Sequence, residues 1–302
     1  MPSGHVSLRE ARAETSRATH LSLSFAGLDE LPPYLLEFPS LRRIELSHNR
    51  LTRLSDVILG LPGLEKLRLR DNRLVRLHER MAALGALRKL NLSLNPSLDA
   101  DVSLTQLARL PRLEVLSLSD SRLSHLPEAF MALRSLKVLH LYGNALRTLP
   151  TGFETLYRMQ KLSLDGNPWS DATATLDQAC RLRNLEVLAY RDSGLIRVPA
   201  ALSGLRSLMH LDLGRNPGLD VESLLMSQPL ETMGLRGATR RAWRAGKIAW
   251  KMPVDFREPR STTRRGGSTP PGICRGTPCA TCWPSTRTRS CGRRCRRPRA
   301  SR

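Results

Sequence analysis

The sequence predicts an α/β solenoid: a curved, right-handed coil with a parallel β-sheet on its concave face, followed by a tail of different chemistry. Three observations predict it. The stretch LKVLHLYGNAL (136–146) recurs 23 residues earlier as LEVLSLSDSRL (113–123), and farther back as LEKLRLRDNRL (64–74) and LRRIELSHNRL (41–51), themselves 23 apart. A fixed period of this length marks a repeat architecture. The last leucine of the 302 residues is Leu235, so the repeat has a sharp end. Only 4% of residues are aromatic against 40% hydrophobic, so any core is aliphatic.

Repeats begin at 18, 41, 64, 87, 113, 136, 159, 185 and 208, with a degenerate tenth at 230. Most run 23 residues, and those at 87 and 159 run 26. Each opens on a short strand, for example Val138 to Tyr142. Alternation sends Leu139 and Leu141 inward and Val138, His140 and Tyr142 outward. Strands of successive repeats pair in parallel, and the back of each unit adds apolar residues such as Leu146, Leu149, Phe153 and Leu156. One repeat cannot bury that face alone; nine stacked ones form a continuous core. A fully buried leucine is worth about 1.5–3 kcal/mol, which offsets ordering entropy only when both neighbours are present.

After each strand one slot is held by asparagine: Asn49, Asn72, Asn95, Asn144, Asn167 and Asn216. A buried amide there is expected to bond backbone groups of its own turn and of the adjacent repeat. Ser121 and Ser193 take the slot in two repeats and are expected to do part of the work. These residues are structural, with no binding role.

Leu31-Pro32, Leu126-Pro127, Leu149-Pro150 and Val198-Pro199 lie on the far side. Proline lacks an N–H and fixes φ, so the outer side there is expected to be extended or a single turn. Residues 97–112 and 170–184 instead have helical spacing, with Leu104, Leu107 and Leu110 in the first, and each should hold a short outer helix. The Asn-Pro signal at Asn216-Pro217 predicts a further helix there. Cys180 falls at an apolar-facing position, where packing is expected rather than reactivity.

This pattern, L-x-x-L-x-L-x-x-N-x-L with Leu-Pro on the far side, resembles the leucine-rich-repeat family over residues 18–235, in its 23-residue bacterial and plant intracellular form. The resemblance implies a recognition module that docks a protein on its concave sheet. The outward strand positions name the candidate surface. Arg43, Lys66, Arg68, Arg70 and Lys89 make its N-terminal half cationic, with Asn91 beside them. Val115, Val138, His140 and Tyr142 form an apolar and aromatic strip, and Arg191 follows. Tyrosine and arginine are types in which binding energy concentrates. The expected partner is therefore a protein with an acidic, partly apolar surface. The bland alternative is a merely soluble sheet face, partly neutralised by Glu45, Glu65 and Asp71.

The ends differ from the middle. Residues 1–17 are expected to cover the open first repeat, with Ser7 and Glu10 fitting a capping box; an export signal is the alternative. Residues 236–252 fit an amphipathic helix capping the last repeat. Residues 253–302 are basic, Cys/Pro/Arg-rich and too polar to order themselves. From 236 on, 19 Lys+Arg face 2 Asp+Glu, which leaves 29 against 25 for the rest of a chain whose net charge is +21. The basic tail could attach to nucleic acid or an anionic membrane only through sequence-blind, salt-sensitive contacts. Its cysteine pairs, Cys279/Cys282 and Cys291/Cys295, have too short a spacer for common zinc modules, so no metal site is assigned. Loss of leucine with sudden Arg/Pro/Cys richness also fits a GC-rich gene read out of frame.

No run approaches the roughly 18 apolar residues of a membrane span. Residues 1–20 have no apolar h-region, and residues 1–235 hold one cysteine. Both favour a cytoplasmic protein, or one exported as an effector. No catalytic motif or cofactor fingerprint occurs, so no enzyme, cofactor or small-molecule substrate is expected. The rival reading is a substrate-recognition remnant of a bacterial effector ubiquitin ligase. Such ligases need a Cys-x-Asp nucleophile motif, which this chain lacks.

Overall fold

The computed structural model describes residues 17–220. The N-terminal cap, the degenerate tenth repeat, the helix after Asn216-Pro217, the capping helix at 236–252 and the basic tail lie outside the described residues. Nine three-residue strands form one parallel sheet in sequence order. They are β1 (His20–Ser22), β2 (Arg43–Glu45), β3 (Lys66–Arg68), β4 (Lys89–Asn91), β5 (Val115–Ser117), β6 (Val138–His140), β7 (Lys161–Ser163), β8 (Val187–Ala189) and β9 (His210–Asp212). Register follows the repeat without slippage: His20 faces Arg43, Arg43 faces Lys66, and so on to Val187 and His210.

Inward leucines fill the coil. Leu139, Leu141, Leu146 and Leu156 are fully buried, as are Phe130 and Phe153 behind them. In repeat eight a tyrosine, Tyr190, takes an inward leucine slot. It is fully buried, with its hydroxyl donating to the Ala172 carbonyl at 2.9 Å. That bond satisfies the one polar atom the substitution brings inside. Burial drives its pKa upward.

The outer side is built mostly of single 3-10 turns. Pro33–Glu37, Glu128–Ala132 and Ala200–Gly204 each start directly behind the proline of their Leu-Pro or Val-Pro pair, and Phe153–Thr155 follows Leu149-Pro150. The two 26-residue repeats carry helices instead, α1 (Ala100–Leu107) and α2 (Ala172–Ala179). Asp99 caps the first through the Val102 N–H (3.1 Å), and Asp171 caps the second through the Ala174 N–H (2.8 Å). Three extra residues per repeat supply the additional turn. Cys180 ends α2 buried, and burial pushes its thiol up to about 12, so it packs as a small hydrophobe.

Candidate functional site

Every asparagine of the slot after the strand spans two repeats. Asn72 Nδ2 donates to the Leu46 and Leu69 carbonyls at 3.0 and 3.1 Å, and its Oδ1 accepts the Leu51 N–H at 3.1 Å. Asn49, Asn95, Asn144, Asn167 and Asn216 repeat the arrangement. Ser121 Oγ donates toward carbonyls at 3.2 and 3.3 Å and accepts the Asn95 N–H at 3.4 Å, and Ser193 Oγ bonds the Arg191 carbonyl. This ladder holds neighbouring strands at fixed spacing and so fixes the face they present.

The residue ahead of each ladder position is left-handed in all nine repeats. It is Phe25, His48, Asp71, Leu94, Asp120, Gly143, Gly166, Asp192 or Arg215, with φ between 48° and 66°. The chain thereby leaves the strand at the same angle each time. Phe25 stacks on His48 at 4.2 Å, and His48 Nδ1 lies 2.7 Å from Asp71, so three consecutive members touch.

Charges on the sheet sort by position. At the residue preceding the strand ion pairs cross between repeats, Arg42 with Glu65 and Glu114 with both Arg88 (3.2 Å) and Lys137 (3.3 Å), and the neutral Gln160 amide donates to Glu186 at 3.1 Å. At the strand's third residue Arg68 is tied to Glu45 at 2.7 Å, both partly buried. The strand's first residue behaves differently. Arg43, Lys66 and Lys89 stand side by side in register, followed by Val115 and Val138. Arg43 and Lys89 are exposed, and neither makes an ion pair among the described residues. Like charges opposite one another destabilise a sheet, so the exposed Arg43 and Lys89 are not explained by folding.

Farther along, Tyr142 is 37% exposed. Burial raises the nearby Asp120 carboxyl, while the Tyr142 hydroxyl and the Arg70 charge lower it. Val138 and His140 are half-buried beside it. Two expectations need correction. Asn91 is buried, not displayed: its Oδ1 turns back to accept the Ser93 N–H at 2.9 Å, because a short amide between Arg68 and Ser117 reaches its own strand first. Arg191 is half-exposed but bound, 3.4 Å from the buried Asp212, while its backbone N–H donates to Asp165 at 2.6 Å. Around it Val187 and Ala189 are buried, so the strand of repeat eight displays little.

Two hollows on the outer side are open. One beside α2 is lined by Asp171, Asp177, Gln178 and Arg181, and another by Glu128, Arg134 and Thr155. Neither is the enclosed apolar cleft that small ligands favour. No helix among the described residues is long and apolar enough to cross a membrane.

A continuous parallel sheet, a two-repeat asparagine ladder and outer turns together define a leucine-rich-repeat solenoid. A family profile described as Leucine rich repeat matches residues 16–74, 62–123 and 111–168, just over half the chain; the protein belongs to that family. Among solved structures it is similar to a leucine-rich-repeat protein of Leptospira interrogans, at 26% identity and a TM-score of 0.61. That alignment covers 73% of this chain and 58% of the other, so this chain spans less than two thirds of that protein's length. A structure of TLR13 in complex with ssRNA13 aligns at 24% identity and a TM-score of 0.53, over 68% of this chain and 37% of that one, and shows the fold alone. A search of curated proteins finds no match.

Proposed function

We propose that the protein is a non-catalytic recognition module of the cytoplasm. It docks a partner protein with an acidic, partly apolar surface on the concave face of repeats two to six. The observation that supports this reading is the pair Arg43 and Lys89, exposed and without an ion pair among the described residues on a sheet where Arg42, Arg68 and Arg88 are each ion-paired. Solenoids of this kind use their curved sheet as the binding surface. Val138 and the exposed ring of Tyr142 supply the apolar part, and aromatic anchors dominate binding energy at such surfaces.

Affinity capture from a lysate of the source cells tests the reading. Wild-type protein is compared with Arg43→Glu/Lys89→Glu/Tyr142→Ala and with a control altered elsewhere, Arg147→Glu/Tyr157→Ala, all checked for an unchanged melting curve. A partner held by wild type and control but reduced at least tenfold in the triple variant supports the reading. A partner lost only in the control, or held equally by all three, overturns it.

A further inference from the structure

The column at the first strand position carries more than a preference for acidic proteins. It has an order and a pitch. From β2 to β6 it reads Arg43, Lys66, Lys89, Val115, Val138: three cations, then two valines, one per strand. No acidic residue occupies this position in any of the nine described strands. A ligand complementary in charge to the column presents anions and then apolar groups along a line crossing the strands.

Spacing decides what can do so. Neighbouring strands lie about 4.8 Å apart, so the four steps from β2 to β6 advance about 19 Å. A helix laid along this line presents one residue per turn, at i, i+4, i+7, i+11 and i+14, and four turns advance about 22 Å. That mismatch of about 3 Å, shared among four steps, is within the reach of long arginine and lysine side chains. An extended segment presents one face every second residue, about 6.7 Å apart, so four steps advance about 27 Å. It would run out of register with the valines by about 8 Å. An approximate match between helical pitch and strand spacing therefore favours the helix.

Building on the docking reading above, we infer that the partner presents an α-helix lying along the solenoid axis. The face it lays down carries acidic side chains over about two turns, then apolar ones over the next. The acidic turns lie over Arg43, Lys66 and Lys89, and the apolar turns over Val115 and Val138. Either chain direction satisfies this arrangement; the order of side chains does not reverse.

The test uses three dye-labelled alanine-rich helical peptides and the full-length protein. The first carries glutamates at i, i+4 and i+7 and leucines at i+11 and i+14. The second has the same composition with glutamates and leucines interleaved. The third is the first with a proline at its centre, which breaks the helix. Fluorescence anisotropy gives affinities for wild type and for Arg43→Glu/Lys89→Glu. The expected result is that the first peptide binds wild type at least tenfold tighter than either control and loses that advantage on the double variant. Equal binding of all three, weakened by the double variant, overturns the helical geometry while leaving an acid-binding concave face intact. No binding by any peptide, or binding indifferent to the double variant, removes both readings.

Discussion

Asn144 ties two repeats together: its Nδ2 donates at 2.9 Å both to the Leu118 carbonyl of the preceding repeat and to Leu141 of its own. Its Oδ1 accepts the Ser121 and Leu123 N–H groups at 3.1 and 3.0 Å. Four backbone groups in the core thus depend on one amide. Leaving buried backbone groups unsatisfied costs about 1–3 kcal/mol each. We expect Asn144→Ala to destabilise the protein by at least about 2 kcal/mol. Ser121→Ala, which removes only long bonds of 3.2, 3.3 and 3.4 Å, should lose about 1 kcal/mol. Urea unfolding compares them; equal losses would refute the ladder's role.

Gly143 and Gly166 occupy the same left-handed slot, with φ of 66° and 62°. They differ in what lies above them. A Cβ on Gly143 would run into the Asp120 carboxylate, whereas one on Gly166 meets only backbone at 3.7 Å. Both alanine variants carry the backbone penalty of about 1–2 kcal/mol. Gly143→Ala must also displace Asp120 from Tyr142, so we expect it to be the more destabilising and to shift the Tyr142 fluorescence or NMR signal. Equal losses with Tyr142 undisturbed would contradict this.

Asp165 has its carboxyl raised chiefly by burial. The Arg191 N–H and the Ser163 hydroxyl pull it down, and Asp212 pushes it further up. A raised carboxyl holds its proton more tightly folded than unfolded. Its contribution is therefore favourable below the unfolded value, about 3.9, and is lost as pH rises through the folded one. We expect Asp165→Asn to gain in stability relative to wild type as pH goes from about 4 to about 7. Denaturant melts across that range check it, and a pH-independent difference would refute it.

The fold was legible because its signals are periodic. Leucine spacing located all nine described strands, and the two long repeats announced α1 and α2 through their helical spacing. The left-handed slot was missed, although Asp71, Asp120, Gly143, Gly166 and Asp192 mark it, because Phe25, Leu94 and Arg215 break the composition while keeping the geometry. The candidate face was only partly legible. Alternation tells which side a residue leaves from, but not which neighbour it meets 23 residues away. Arg43 and Arg68 read alike in sequence. In the structure Glu45 neutralises Arg68 and leaves Arg43 without an ion pair among the described residues. Asn91 was misplaced for the same reason: its amide bonds its own strand, which no spacing rule reveals.

The central claim is that the concave face of repeats two to six is where the partner sits. Site-specific photo-crosslinking tests it most directly. Benzoylphenylalanine replaces either Tyr142 on that face or Tyr157, 52% exposed on the turn leading into β7. Each protein is irradiated with the captured partner. We expect a crosslinked complex from position 142 and none from position 157. Crosslinking from 157 alone would place the partner elsewhere on the solenoid and contradict the account.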